Sequence, residues 1–232
     1  MESTVLNITM KARTGAYSYC TFPGLQAEVL ILGNNIIIRI LTRIFDLMIL
    51  NILWLVCSVG IITIGASTTA LYSVMLKIVR NEEGYIVRDF FKAFRENFRQ
   101  STVIWMVLLA VGMLLLADTA ILHRMQGGAG LIGTMVFYII VFFYFMEIIF
   151  VFPLIAKFEN TTGSMIKNAI LIPASRLPYA VMVLVMTGAC VLLTFLDHRT
   201  IIAGIGIWSV IGAALLSYVN CFLIMKIFEP YL

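Results

Sequence analysis

Residues Ile40–Val79 read ILTRIFDLMILNILWLVCSVGIITIGASTTALYSVMLKIV, forty residues in which only Arg43, Asp46 and Lys77 carry charge. As one straight helix this stretch would run about 60 Å at 1.5 Å per residue, roughly twice the thickness of a bilayer's hydrocarbon core. It must therefore turn back on itself. Ser58-Val59-Gly60 is the place, because glycine is the cheapest residue for a tight connection and no other breaker occurs before Gly65. The reading is a hairpin of two spans, about 40–59 and 61–79. The second has a short apolar part containing Thr63, Ser67, Thr68 and Thr69, so a re-entrant or protein-surrounded helix is the alternative to a full crossing.

Basic residues test the hairpin, since the cytoplasmic flanks of membrane helices collect Lys and Arg. Further apolar runs predict spans at about 103–122, 131–155, 179–196 and 201–226, each near the ~20 residues a spanning helix needs. With six spans and the N-terminus inside, only Arg124 and Arg199 of the sixteen Lys and Arg face outward. A single crossing over residues 40–79 would instead put either Arg39 and Arg43 or the cluster from Lys77 to Arg99 on the wrong side. Composition agrees: 62% of residues are hydrophobic and 12% charged, outside the range of soluble globular domains. The fold class is all-α, a polytopic membrane helix bundle of six transmembrane helices with both termini cytoplasmic. The main partner is the lipid bilayer. A net charge of +4 is too small and scattered for nucleic-acid binding.

Residues 1–33 are less apolar, contain a Pro23-Gly24 turn signal and lack a signal-peptide pattern; they are expected to be a weakly ordered extension before a single membrane domain, 34–232.

Between the second and third spans, residues 86–100 carry Ile86, Phe90, Phe94 and Phe98 at four-residue spacing, widened by Val87 and Phe91. Arg88, Lys92, Arg95 and Arg99 recur on another face. This predicts an amphipathic cytoplasmic helix lying at the membrane surface, or a docking site for a partner. Ser164–Ile172 is a weaker version in the second cytoplasmic loop, so a duplicated unit of span, surface helix and span is conceivable.

Polar groups within the spans are few. Glu147 lies in the aromatic run FFYFME, about 15 Å of helix rise from Lys157, where an ionised carboxylate is costly unless paired, hydrated or protonated. Asn220, Asn51 or a threonine on a neighbouring helix is its expected partner. Glu147, Asn220, Asn51, Thr68 and Thr69 form the candidate intramembrane polar site, read either as packing hydrogen bonds or as part of a solute or ion pathway. Near the interface, Asp46 is expected to pair with Arg43. The small stripe Ser209, Ala213 and Ser217 reads mainly as close helix packing.

Other motifs lose their usual meaning in context. Gly128–Gly133 fits GxGxxG but follows no β-strand and opens a membrane helix, so no dinucleotide site is expected. Cys20, Cys57, Cys190 and Cys221 have no ligand spacing, His123 and His198 fall in outer loops, and no catalytic constellation accompanies them. Neither a metal, a cofactor nor enzymatic activity is expected.

At Asn51–Ser58 (NILWLVCS), Thr63–Tyr72 (TIGASTTALY) and Asp89–Phe98 (DFFKAFRENF), the chain resembles the YesL family of bacterial integral membrane proteins, from about Ile40 to the C-terminus. Members are Gram-positive membrane proteins of unknown function whose genes often lie near carbohydrate ABC transporters, polysaccharide-degrading enzymes and sensor systems. The resemblance implies a bacterial cell-membrane protein that is an accessory or regulatory component of carbohydrate uptake, with a transporter permease or sensor kinase as partner. Its contact would be the helix bearing Arg88, Phe90, Phe91, Lys92, Phe94, Arg95, Phe98 and Arg99. Gly60 stands where the family usually has proline, and the segment before Asn34 lies outside the resemblance, as an early start codon would produce. The alternative reading is a small-solute or ion-coupled transporter, which requires the intramembrane polar groups to line one hydrated cavity.

Overall fold

The computed structural model describes residues 36–82, 84–122 and 128–231. Arg43–Leu232 forms one compact unit, distinct from Met1–Thr42. Expectations for residues 1–33 lie outside the described residues, and the architecture below is that of Arg43–Leu232. The helices are α1 (Ile36–Ser58), α2 (Ile64–Val79), α3 (Ile86–Leu122), α4 (Gly128–Lys157), α5 (Thr162–Ser175), α6 (Leu177–Thr194), α7 (His198–Ile207) and α8 (Ala213–Phe228). A 3₁₀ turn at Ile61–Thr63 precedes α2, and a π-helical turn at Trp208–Gly212 joins α7 to α8. No strand occurs among the described residues. Six stretches are long and apolar enough to cross a membrane: Ile40–Ser58, Ile61–Val79, Ile86–Thr119, Gly130–Lys157, Leu177–Thr194 and Thr200–Tyr231. The last runs through α7, the π turn and α8.

The hairpin is present. At its tip, the Thr63 hydroxyl donates to Cys57 O at 2.6 Å, and the hydroxyls of Ser58 and Ser67 lie 2.6 Å apart. Gly60 has φ −80, so left-handed backbone is not the reason for glycine there. Space is: a Cβ would stand 3.1 Å from the Thr63 hydroxyl, tighter than ordinary contact. At the open end of the hairpin, Arg43 donates to Asn81 Oδ1 at 3.0 Å and lies within electrostatic reach of Asp46 without closing to ion-pair distance. Asn81 sits at φ 56 and ends α2, with its own N–H on Ile78 O and the Glu82 N–H on Lys77 O. That is a Schellman cap with asparagine in the left-handed position.

α2 is the hub of the bundle, packing on α3, α4 and α8. Of its span, 61% is buried by protein, against 11–39% for the other five. Its small residues make this possible. A Cβ on Gly65 would lie 2.7 Å from both Ser101 O and Trp105 Cβ, so the α2 and α3 backbones meet at a distance only glycine permits. The hydroxyls of α2 do not open a polar face: Ser67, Thr68 and Thr69 each return a hydrogen bond to the backbone of their own helix. The helix is thus largely surrounded by protein while remaining long and apolar enough to cross a membrane.

One expectation is corrected. The amphipathic segment 86–100 and the third span 103–122 are not two elements but one continuous helix of 37 residues, α3, about 55 Å long. A separate surface helix would need a breaker near the join, and Arg99-Gln100-Ser101-Thr102 offers none. The join is also held by α2, through Gly65 against Ser101 and a 2.8 Å contact between the Thr69 and Ser101 hydroxyls. Phe90 and Ala93 are accordingly buried in the bundle core. The weaker copy does form a separate helix, α5, which buries Met165, Ala169 and Ile172 and packs mainly on α4. Arg176 then leaves helical geometry and Pro178 opens α6. The two halves thus differ in form at the place where a duplication would match them.

One end of the bundle gathers the basic residues. Lys77 pairs with Asp89 at 3.1 Å, and Lys157 lies within electrostatic reach of Arg80 and Glu82. Phe158 packs edge-on to Phe228 with centroids 5.4 Å apart, and Arg176 donates to Lys226 O at 3.1 Å. These contacts place the ends of α2, α4 and α8 with the starts of α3 and α6, the alternation that consecutive crossings require.

Candidate functional site

The five polar residues singled out within the spans are held in separate places. Asn51, fully buried on α1, reaches the π turn of the last span: its Nδ2 donates to Trp208 O and Ser209 O, each at 2.9 Å, while its Oδ1 accepts the Ala214 N–H at 3.1 Å. A π turn widens the helix and leaves backbone groups without regular partners, and one carboxamide supplies both kinds of complement. Thr68 accepts from the Trp54 indole N–H at 3.2 Å, tying α2 to α1. Thr69 faces Ser101 on α3. Asn220 on α8 donates to Thr187 of α6 at 3.1 Å. Its Oδ1 is buried without a hydrogen bond, and the Tyr72 hydroxyl faces the side chains of Ser217 and Asn220.

Glu147 joins none of them. It is half-buried on α4 and makes no hydrogen bond or ion pair among the described residues, its electrostatic neighbour being Tyr144 one turn earlier. Grooves of about 460, 420 and 340 Å³ open between the helices, with almost wholly apolar walls. None is lined by Glu147, Asn220, Asn51, Thr68 or Thr69. The polar groups make four local ties between helices.

Sequence reasoning missed Ser101, Thr187 and Tyr72, the partners in these ties. An isolated Ser or Thr in an apolar run carries no mark of which neighbour it will face. It missed the π turn for the same reason: Trp208-Ser209-Val210-Ile211-Gly212 is unremarkable until Asn51 is seen against it. The described residues contain no group of three His, Cys, Asp or Glu able to hold a metal ion.

The outer face of α3 over residues 86–100 is different in kind. Phe90 is buried, whereas Val87, Phe91 and Phe98 are 47, 48 and 40% exposed, with Phe94 partly covered between them. Beside this strip Arg88, Lys92, Arg95 and Arg99 are all exposed. Among the described residues the ion pairs are Lys77–Asp89, Arg80–Glu82 and Arg176–Glu229, so these four cations are unpaired. Three strips therefore run along one helix: one in the core, an apolar one in the open, and a cationic one beyond it.

The fold defines a class, a multi-pass α-helical membrane protein with a phenylalanine-and-arginine face on an extended third span. A family model described as a protein of unknown function, DUF624, matches residues 47–119, which take in the second half of α1, all of α2 and nearly all of α3. An uncharacterized protein, YteU, of Bacillus subtilis (strain 168) is 27% identical over 145 residues, 60% of this chain and 64% of the relative. The chain thus spans a little less than two thirds of that relative's length. No solved structure matches.

Proposed function

We propose that this is a non-enzymatic component of a bacterial cell membrane that assists or regulates carbohydrate uptake by holding a protein partner on the exposed face of α3. The observation that carries the proposal is that face: unpaired Arg88, Lys92, Arg95 and Arg99 beside exposed Val87, Phe91 and Phe98. Its length argues for protein rather than lipid as the occupant. Arg88 to Arg99 span about 16 Å of helix rise, and the headgroup layer on one side of a bilayer is about 7 Å deep. Even at a tilt of about 40° the strip outruns that layer.

The sugar-uptake setting rests on the YesL resemblance alone, which names the partner class as an ABC transporter permease or a sensor kinase. Lysine and arginine placement supports a cytoplasmic location for this end and for both termini. The decisive experiment places a photo-crosslinking amino acid at Phe91 in cells and identifies the adduct. A permease or sensor kinase should appear there and not with the crosslinker at Met113, an exposed apolar position in the other half of α3. Lipid adducts alone at Phe91, or labelling of a cysteine at Arg95 from outside the cell, would sink the proposal.

The second reading, a small-solute or ion-coupled transporter, draws on Glu147 alone, a carboxylate within a span and without a partner. Loss of uptake in Glu147→Gln with normal protein levels would favour it.

A further inference from the structure

Resting on that reading, we infer that the partner presents an acidic amphipathic helix to α3, its apolar edge on Val87, Phe91 and Phe98 and its carboxylates along Arg88, Lys92, Arg95 and Arg99. At about 100° per residue the apolar strip and the cationic strip are centred roughly 90° apart, so one helix laid along α3 meets both. Each strip extends over about 16 Å, three turns, which is the contact length of an ordinary helix pair. A charged flank beside an apolar seam is the arrangement that sets partner choice and register between paired helices.

This chain has little to neutralise the cations itself. Asp89 is engaged by Lys77, and the exposed Glu96, one turn from Lys92 and Arg99, forms no ion pair with either. The buried side of α3 is already occupied, with Phe90, Ala93 and Ser101 against the bundle, so the open face is the one available. An acidic helix satisfies both of its strips. A neutral one leaves four cations beside an apolar contact, and a basic one adds repulsion.

The test uses the full chain in nanodiscs and three synthetic helices of about 18 residues, each with the same leucine stripe and with Glu, Gln or Lys along its flank. Binding is followed by fluorescence anisotropy. The Glu peptide should bind at least about tenfold more tightly than the Gln peptide, and the preference should fall as salt rises from about 50 to 500 mM. Charge reversal at Arg95→Glu and Arg99→Glu should invert the order so that the Lys peptide binds better, an outcome that a misfolded variant would not produce.

Equal binding of the Glu and Gln peptides, or an unchanged order in the reversed variant, overturns the inference. So does loss of the preference when phosphatidylglycerol replaces phosphatidylcholine in the nanodisc, which would make the anionic lipid surface the occupant. Charge-selective peptide binding combined with no permease or kinase captured at Phe91 would leave this inference standing while removing the uptake proposal.

Discussion

The side chain of Asn51 closes on the backbone of Ala214, accepting its N–H at 3.1 Å across a separation of 163 residues. The same carboxamide donates to Trp208 O and Ser209 O. The first span and the last are thereby joined at the π turn that interrupts the last.

Asn51→Ala should therefore destabilise the protein by about 1–3 kcal/mol, because it strands a buried backbone N–H and two carbonyls in apolar surroundings. Asn51→Asp should cost at least as much, since a carboxylate can accept from Ala214 but has no N–H for the two carbonyls. Thermal unfolding in detergent measures both. A neutral Asn51→Ala would mean that the π turn satisfies itself.

Gly65 makes a prediction about contact distance. Gly65→Ala places a methyl 2.7 Å from Ser101 O and Trp105 Cβ, atoms that cannot rotate away, and should cost about 1–3 kcal/mol by pushing α2 from α3. Gly163 is the control, since a Cβ there meets nothing within 4 Å and the residue lies in α5. Gly163→Ala should be neutral or stabilising by up to about 1 kcal/mol. Comparable losses in the two variants would contradict the packing described for α2.

The left-handed cap at Asn81 separates a backbone effect from a side-chain effect. Asn81→Gly keeps the φ of 56 accessible but loses the bond from Arg43, so it should cost about as much as Arg43→Ala, under about 1 kcal/mol. Asn81→Ala should add about 1–2 kcal/mol for forcing a Cβ into that conformation. In a double-mutant cycle Asn81→Gly and Arg43→Ala should be non-additive; full additivity would show that the bond contributes nothing in solution.

Glu147 distinguishes a structural burden from a functional group. With no hydrogen bond or ion pair, Glu147→Leu should raise thermal stability by about 1–3 kcal/mol and leave crosslinking at Phe91 unchanged. A drop in stability would show that the carboxyl makes an interaction of structural weight.

The chain by itself determined that residues 40–79 double back and that six helices are apolar enough to cross a bilayer, and it predicted one end for all the basic residues but Arg124 and Arg199. These follow from length against membrane thickness and from charge against lipid, terms that depend on composition along the chain and not on which helix meets which. Even the phenylalanine periodicity of 86–98 was legible, because a four-residue repeat marks a helix face wherever that helix goes.

What only the tertiary structure decided was the pairing. Phe90 is core while Phe91 is open because α2 lies on one side of α3. Residues 86–122 form a single rod because Gly65 lets α2 press against their midpoint. Asn51, Thr68, Thr69 and Asn220 could have met around Glu147, and they do not. A buried hydrogen bond is satisfied by whichever neighbour packing brings within about 3 Å, and packing is settled by the shapes of all the helices together.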